Sequence, residues 1–263
     1  SELMDIEYFY TSDNQVRIFT GSGKQILTGI PRTFEYDSAG TITPDINYPD
    51  EIDGILLGNI DITKEIKGGK IGGWLDLRDE ILVQEQAKLD ELTSVMKDTI
   101  NAAVNGGSSM PPRSEVRSDV SPFTPADPLT GIGTARIAVV DKNGFVQSAL
   151  TIDASTYTTV NDFISDLNSV AGLTASINAS GQLVIQTTDP DNGFAFNQND
   201  TSMGADGQGL SQYFGLNNLF GGENASNIYV NDFLRAEPLN FSSGALSMGA
   251  VPGEQGLFSG DSS

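Results

Sequence analysis

The longest regular pattern of apolar and polar positions predicts one long helix. Residues 74–104 contain neither proline nor glycine, and apolar side chains recur in them at seven-residue intervals. About 30 residues at the α-helical rise form a rod roughly 45 Å long, which exceeds an ordinary globular helix. We expect its apolar side, the heptad stripe, to be covered by other parts of the chain. The heptad stripe consists of Leu75, Leu82, Leu89, Met96 and Ala103.

Glycines mark both ends of this helix. The glycine motif that precedes it consists of Gly68, Gly69, Gly72 and Gly73, followed directly by Trp74. We expect Trp74, the only tryptophan, to be an apolar anchor in the core, with sugar stacking as the alternative. A second pair of glycines at 106–107 is expected to end the helix.

Before the glycine motif, short apolar runs separated by turns predict β-hairpins. Residues 15–20 and 25–28 flank the turn Gly21–Lys24, where glycine suits a positive φ. A second hairpin is predicted at residues 33–36 and 40–43, and residues 54–62 are expected to form a further strand or an extended connection.

After the helix, proline and glycine are dense enough to predict a linker. Five prolines lie between residues 105 and 133, where they remove backbone donors and disfavour helix and sheet. From residue 134 onward, short strands return together with one helix over residues 160–170, which Thr159 and Asp162 start with a capping box. The tail from Ser242 has little periodicity. The strands of this part are predicted at 135–140, 145–146, 150–152, 173–177, 182–187, 194–196, 228–230 and 233–234.

Together these patterns predict an α+β protein: strand-rich domains, one long helix as a spine, and a second β-rich domain inserted outward. The rod-facing domain covers residues 1–107, and residues 242–263 are expected to return to it. Residues 108–133 are the proline-rich linker. Residues 134–241 form the β-rich outer domain.

Composition excludes most enzyme classes. The 263 residues include no cysteine and no histidine, so thiolate chemistry, disulfides, zinc–thiolate sites and the usual neutral-pH base are all missing. The formal net charge is −21, and after Lys142 the chain has a single basic residue, Arg235. Because nucleic-acid affinity depends on lysine and arginine, nucleic acid and anionic membranes are poor partners for so acidic a chain.

The remaining chemical motifs favour structural explanations. Gly21–Lys24 lacks the spacing of a phosphate-binding loop. Residues 189–193 fit an Asx-rich turn better than a calcium loop, with a weak surface ion as the alternative. The carboxylate pairs Asp76/Glu80, Asp79/Glu80 and Asp90/Glu91 lie along one helix, where a solvated face is expected. We therefore predict no catalytic residue, no cofactor and no metal site.

The sequence predicts neither a membrane-spanning segment nor a signal peptide. No apolar run reaches the roughly 18 residues of a transmembrane helix. The first ten residues are acidic and lack the basic region of a signal peptide. We expect the chain to be a fragment that begins inside a longer protein.

Several segments resemble the bacterial flagellar hook-associated protein 1 family, the hook–filament junction proteins. Residues 68–79 (GGKIGGWLDLRD) resemble the glycine-rich start of that family's long helix. Residues 16–29 are similar to a family hairpin, and residues 153–185 to its later β-rich part. Residues 212–215 and 227–231 also resemble segments of that family.

The resemblance implies a non-enzymatic structural subunit that works by self-assembly. It implies a homo-oligomeric ring between hook and filament, contacts with neighbouring hook and hook-associated subunits, and an extracellular place in the flagellum. Export unfolded from the cytoplasm through the type III apparatus is also implied, as is an export chaperone that binds a C-terminus outside this sequence. The family's long terminal helices are expected to be missing here.

Other functions stay open at this point. Another axial protein, such as a filament cap or a flagellin, would be distinguished by the termini of the full-length protein. An acidic adhesin or carbohydrate-binding module would bind glycans, with calcium dependence as its signature. A carboxylate hydrolase would need two facing acids in a deep cleft.

Overall fold

The structure, a computed structural model, describes residues 2–38, 46–120 and 122–260. The chain divides into two compact units, Ser1–Glu91 and Leu92–Ser263. Strands pair antiparallel throughout the described part, and helices and strands both contribute to each unit. The predicted α+β class with a helical spine is therefore confirmed.

The first unit contains a three-stranded meander. Strand β1 (Ile6–Tyr10) pairs with β2 (Val16–Thr20), which pairs with β3 (Gln25–Leu27). The hairpin predicted around Gly21–Lys24 is thus confirmed, and Gly23 in its turn has a positive φ of 84°. Strand β1 was not predicted from the sequence.

A second small sheet of the first unit differs in its pairing from the prediction. Strand β4 (Phe34–Glu35) pairs with β5 (Leu56–Leu57), and β5 turns at Gly58 to pair with β6 (Ile60–Asp61). The predicted partner strand 40–43 lies outside the described residues. The extended segment predicted at 54–62 is therefore a tight hairpin. A small core beneath these strands contains Met4, Leu57, Ile62, Ile66 and Leu75.

The long helix predicted from the heptad pattern is confirmed. Helix α1 (Gly69–Asp76) continues through a π-helical turn (Leu77–Ile81) into α2 (Leu82–Asn105). The wider turn adds a small angular offset between the two α-helical stretches. Gly106 lies beyond the last helical residue and donates to Ala103 O at 3.2 Å, so the helix ends where the glycine pair predicts.

The second unit is built around strand β10 (Thr134–Asp141), whose two faces are both buried. Ala135, Ile137 and Val139 contribute to a large core, while Ala138 and Val140 on the opposite face contribute to a smaller one. Strand β10 pairs with β11 on one side and β14 on the other. These strands are β10 (Thr134–Asp141), β11 (Val146–Asp153) and β14 (Asn192–Asn197).

The large core lies beneath helix α3 (Val160–Ser169) and a second sheet. Thr159 and Asp162 form the predicted capping box, and Phe163, Ile164 and Leu167 face the core. The helix predicted over residues 160–170 therefore agrees with α3 to within one residue at its C-terminal end. The other elements around this core are β8 (Glu115–Arg117), β9 (Gly131–Ile132), β12 (Leu173–Ile177), β13 (Leu183–Thr187), β15 (Ser202–Met203) and α4 (Leu210–Phe214).

The segment 108–133, predicted to be a linker, is part of the second unit in the structure. It supplies β7 (Ser108–Ser109), β8 and β9, and it places Val116 and Leu129 in the large core. Its prolines lie between these short strands, where no ladder hydrogen bond is lost. Proline density therefore indicated short elements and not a domain boundary.

The tail, predicted to return to the first domain, instead completes the second unit. Strand β18 (Ser242–Leu246) pairs with β7 and with β19 (Leu257–Ser259). Leu246 and Leu257 cover the second apolar face of β10. That face needs a cover because Ala138 and Val140 would otherwise be exposed to water.

One predicted strand is a helix. Residues 233–234 lie in α5 (Asp232–Ala236), which Asn231 caps by accepting from Phe233 N. The predicted strand at 228–230 corresponds to β17 (Tyr229–Val230), which pairs with β16 (Phe220–Gly221). A local cap thus outweighed the strand preference of the two apolar residues.

Candidate assembly surfaces

The glycine motif joins the start of the helix to the N-terminal segment. Gly68 is the extended N-cap, and the free amides of Lys70 and Ile71 donate to the backbone oxygens of Glu2 and Leu3 at 3.0 and 2.9 Å. These bonds satisfy helix N–H groups that have no partner within the helix. The N-terminal segment therefore takes the role that a capping side chain usually has.

Steric contacts explain two of the four glycines most clearly. Gly69 has a φ of +72°, and a Cβ there would lie 2.6 Å from Leu3 O. A Cβ at Gly72 would lie 3.0 Å from the backbone of Lys67, whereas a Cβ at Gly73 would meet nothing within 4 Å. Close backbone approach thus requires Gly69 and favours Gly72.

Trp74 is not the core anchor that we predicted. Its side chain is 62% exposed, while the next residue, Leu75, is 8% exposed and belongs to the small core of the first unit. Trp74 lines one side of an apolar cavity of about 630 Å³, together with Ile6, Phe34 and Ile71. The tryptophan therefore contributes an exposed apolar surface to the first unit.

The heptad stripe is likewise exposed beyond its first member. Leu82, Leu89 and Met96 are 55%, 51% and 42% exposed, and Ala103 is exposed too. No residue in the described stretch 77–100 is buried. The expectation that the chain itself covers the stripe was wrong, because periodicity predicts an apolar face but not what packs on it.

Exposure of the stripe also changes what a substitution there would do. If Leu89 lay in the core, Leu89→Ala would leave a cavity and cost about 2–5 kcal/mol. With half of its surface in water, Leu89 loses much less when it is shortened.

Strand β1 presents a second exposed apolar surface, which the sequence analysis missed. Tyr8, Phe9 and Tyr10 are each more than half exposed, and β1 is an edge strand that pairs only with β2 among the described residues. Phe9 stacks on Phe19 at 5.7 Å between ring centroids. The signal was present in the sequence, since four of the five residues from Ile6 to Tyr10 are β-branched or aromatic.

Within the second unit, two asparagines attach the last turns of α2 to a neighbouring loop. Asn101 Oδ1 accepts from the backbone amides of Leu219 and Phe220 at 2.9 and 3.0 Å, and its Nδ2 donates to Phe220 O at 2.8 Å. Nearby, Lys97 Nζ donates to Gly222 O at 2.9 Å. A side chain that satisfies a loop backbone in this way fixes the loop on the helix.

Asn105 makes a buried network one turn further on. Its Nδ2 donates to Asn101 O and Asn218 Oδ1, both at 2.8 Å. Its Oδ1 accepts from Ser211 Oγ at 2.8 Å and from Asn217 N at 3.0 Å. The i, i+4 spacing of the two asparagines near the end of an apolar pattern was the signal for this network in the sequence.

The motifs considered for chemistry are turns and ion pairs in the described part of the chain. The Gly21–Lys24 turn pairs Lys24 with Glu65 at 3.4 Å. At residues 189–193, Asp189 Oδ1 accepts from Asp191 N at 2.9 Å, which is the predicted Asx turn. Within the residues that the structure describes, no cluster of three or more acidic side chains could hold a metal ion.

The carboxylates along the helix are solvated or paired. Asp76 and Glu80 are exposed. Asp79 forms a 2.5 Å ion pair with Arg78, and the hydrogen bond to Asp79 raises the pKa of Arg78. These groups show the polar face of a helix, as the sequence predicts.

Comparison with known proteins agrees with the resemblance noted for the glycine motif. Residues 1–113 match the family model of the flagellar hook-associated protein FlgK helical domain. No curated protein matches the chain significantly. Over the described ranges, every helix is too short or too polar to span a bilayer. The matched residues contain β1, the glycine motif and the whole long helix. Through them, residues 1–113 of the chain are similar to the family of flagellar hook-associated protein FlgK.

Proposed function

We propose that this protein joins the hook and the filament of the bacterial flagellum as a self-assembling structural subunit. The observation that carries the proposal is the family match over residues 1–113, which contain the exposed apolar surfaces. The subunit would act outside the cell, after export from the cytoplasm, and without catalysis.

The exposed heptad stripe supports assembly through helix packing. Leu82 and Met96 are 14 residues apart, or roughly 21 Å along the helix. Covering the exposed halves of Leu82, Leu89 and Met96 would contribute about 1 kcal/mol each. A monomer that leaves this stripe in water gains stability when a neighbouring helix covers it.

The partners in this proposal are copies of the same chain in a ring and neighbouring hook and hook-associated subunits. An export chaperone would bind a C-terminal segment outside the present sequence. Contacts through apolar stripes suit permanent assemblies, because they depend on packed area and little on charge. The net charge of −21 would keep unassembled subunits apart.

Deletion of the full gene tests the junction role. We expect electron microscopy to show hooks without filaments and filament protein released into the medium. Normal filaments in the deletion strain would refute the proposal.

Complementation of that strain tests the stripe itself. The full gene carrying Leu89→Glu should fail to restore filaments, because a carboxylate would enter the packed seam. Ala87→Glu is the matched control, since Ala87 is exposed and lies about 200° away around the helix. Circular dichroism should show both variants folded. Full motility with Leu89→Glu would mean that the stripe is not an assembly contact.

A further inference from the structure

Arg113 in the second unit is a buried cation without a buried anion. The residue is 9% exposed, and its backbone oxygen accepts from Phe194 N at 2.7 Å, which holds it against β14. Burial lowers the pKa of Arg113 to about 10, so the guanidinium is still protonated at neutral pH. The fold therefore keeps a full positive charge away from bulk water.

The partners of this guanidinium are neutral. Its Nη2 donates to Asn217 Oδ1, and its Cζ lies 5.5 Å from the ring centroid of Phe233. Among residues 2–38, 46–120 and 122–260, no carboxylate lies within 4 Å of it. Arg117 and Arg235, by contrast, both pair with carboxylates. Buried charges in proteins are normally paired, because an unpaired one loses its hydration without compensation.

Arg113 lines a cavity of about 190 Å³ within the second unit. Typical pockets for drug-sized ligands begin near 300 Å³, so this cavity suits only a small ion or the tip of one side chain. The amide side chains of Gln182 and Asn218 also line it. The cavity thus combines two arginines, Arg113 and Arg117, with polar groups in a small volume.

The two carboxylates that line the cavity are engaged elsewhere. Glu115 pairs with Arg117 and also accepts from Gln186. Asp119 accepts from Asn231 Nδ2 at 3.2 Å, and burial raises the pKa of Asp119. Neither carboxylate therefore neutralises Arg113.

We propose that this cavity binds one carboxylate group, which supplies the counter-ion that Arg113 lacks. A carboxylate fits because its two oxygens match the planar fork of a guanidinium. The carboxylate comes either from a small free acid or from an aspartate or glutamate side chain of a second copy of this chain, which has 35 acidic residues. This site does not depend on the proposed role at the hook.

Nuclear magnetic resonance of the full chain tests the site without any substitution. With arginine side chains labelled with ¹⁵N, sodium acetate should shift the Nε signal of Arg113 in a saturable manner, and sodium chloride of equal concentration should not. Arg136 is the internal control, since its guanidinium donates to Thr151 and Ala250 O, and it does not line the cavity. Equal shifts with acetate and chloride would overturn a specific carboxylate site.

Thermal unfolding gives an independent readout. If acetate binds with a dissociation constant near about 10 mM, then 100 mM acetate multiplies the folded-to-unfolded ratio by about 11. That factor corresponds to a rise of roughly 3–5 °C in Tm for a unit of this size. Arg113→Gln should abolish the rise, and Arg136→Gln should keep it. A rise that survives in Arg113→Gln would refute the assignment.

The source of the carboxylate is resolved by varying the protein concentration. If a second copy supplies it, the Arg113 signal should shift on concentrating the protein without acetate, and sedimentation velocity should show association that acetate reverses. If a free acid supplies it, acetate alone should shift the signal. An Arg113 signal that responds to neither acetate nor protein concentration would overturn the proposal.

Discussion

Asn105 provides the sharpest test of how the last turns of α2 are held within the second unit. The residue is fully buried and its side chain makes four hydrogen bonds, two as donor and two as acceptor. Asn105→Leu keeps four side-chain heavy atoms with the same branching at Cγ and removes all four hydrogen bonds. The amide of Asn217 and the hydroxyl of Ser211 then lose their acceptor in a dry environment.

The magnitude follows from the groups left without a partner. Each buried polar group that loses its hydrogen bond costs about 1–3 kcal/mol, and the backbone amide of Asn217 cannot rotate to another acceptor. The hydroxyl of Ser211 can rotate towards another acceptor, so losing its hydrogen bond costs an amount near the lower limit of that range. We expect Asn105→Leu to lower the free energy of unfolding by about 2–5 kcal/mol.

Urea denaturation followed by circular dichroism measures the loss, and hydrogen exchange locates it. The amide of Asn217 should exchange faster in Asn105→Leu, because its acceptor is the side chain that has been removed. Asn161→Leu is the matched control, since Asn161 is an exposed helical residue of the same unit. A loss below about 1 kcal/mol, with unchanged exchange at Asn217, would refute the reasoning.

Three further predictions concern single positions. Gly69→Ala should destabilise the chain by about 1–3 kcal/mol in urea titrations, because of its positive φ and the contact with Leu3 O, while Gly73→Ala in open space should be neutral or slightly stabilising. Leu89→Ala should cost less than about 1 kcal/mol in the same assay, since half of that side chain is already in water. Hydrogen bonds from Thr158 lower the pKa of Asp162 to about 2, so its contribution to stability should be complete above pH 4 and disappear as the pH falls towards 2. The difference in unfolding free energy between wild type and Asp162→Asn should shrink over that window, and a constant difference would contradict it.

Local signals in the sequence were sufficient for the elements that depend on neighbouring residues. The seven-residue recurrence located the long helix, and the pair Thr159 and Asp162 located the start of α3. The hairpin around Gly21–Lys24 was recognisable because glycine permits the turn. These features need only contacts between residues close in the chain.

The candidate surfaces were only partly predictable. Glycine spacing indicated the start of the helix, but the reason for Gly69 is a contact with Leu3, which is 66 residues away. The Asn105 network joins residues more than 100 positions apart. Such partners are brought together by the tertiary fold and leave little trace in a local pattern.

By itself, the sequence determined that this is an acidic α+β protein without cysteine or histidine, with one long amphipathic helix and a glycine motif typical of a flagellar family. Only the tertiary structure decided which apolar faces are covered. It placed the tail against β10 and left Leu82, Leu89 and Met96 in water. The physical reason is that hydrophobic periodicity specifies a surface that gains by leaving water, whereas long-range packing decides what covers it.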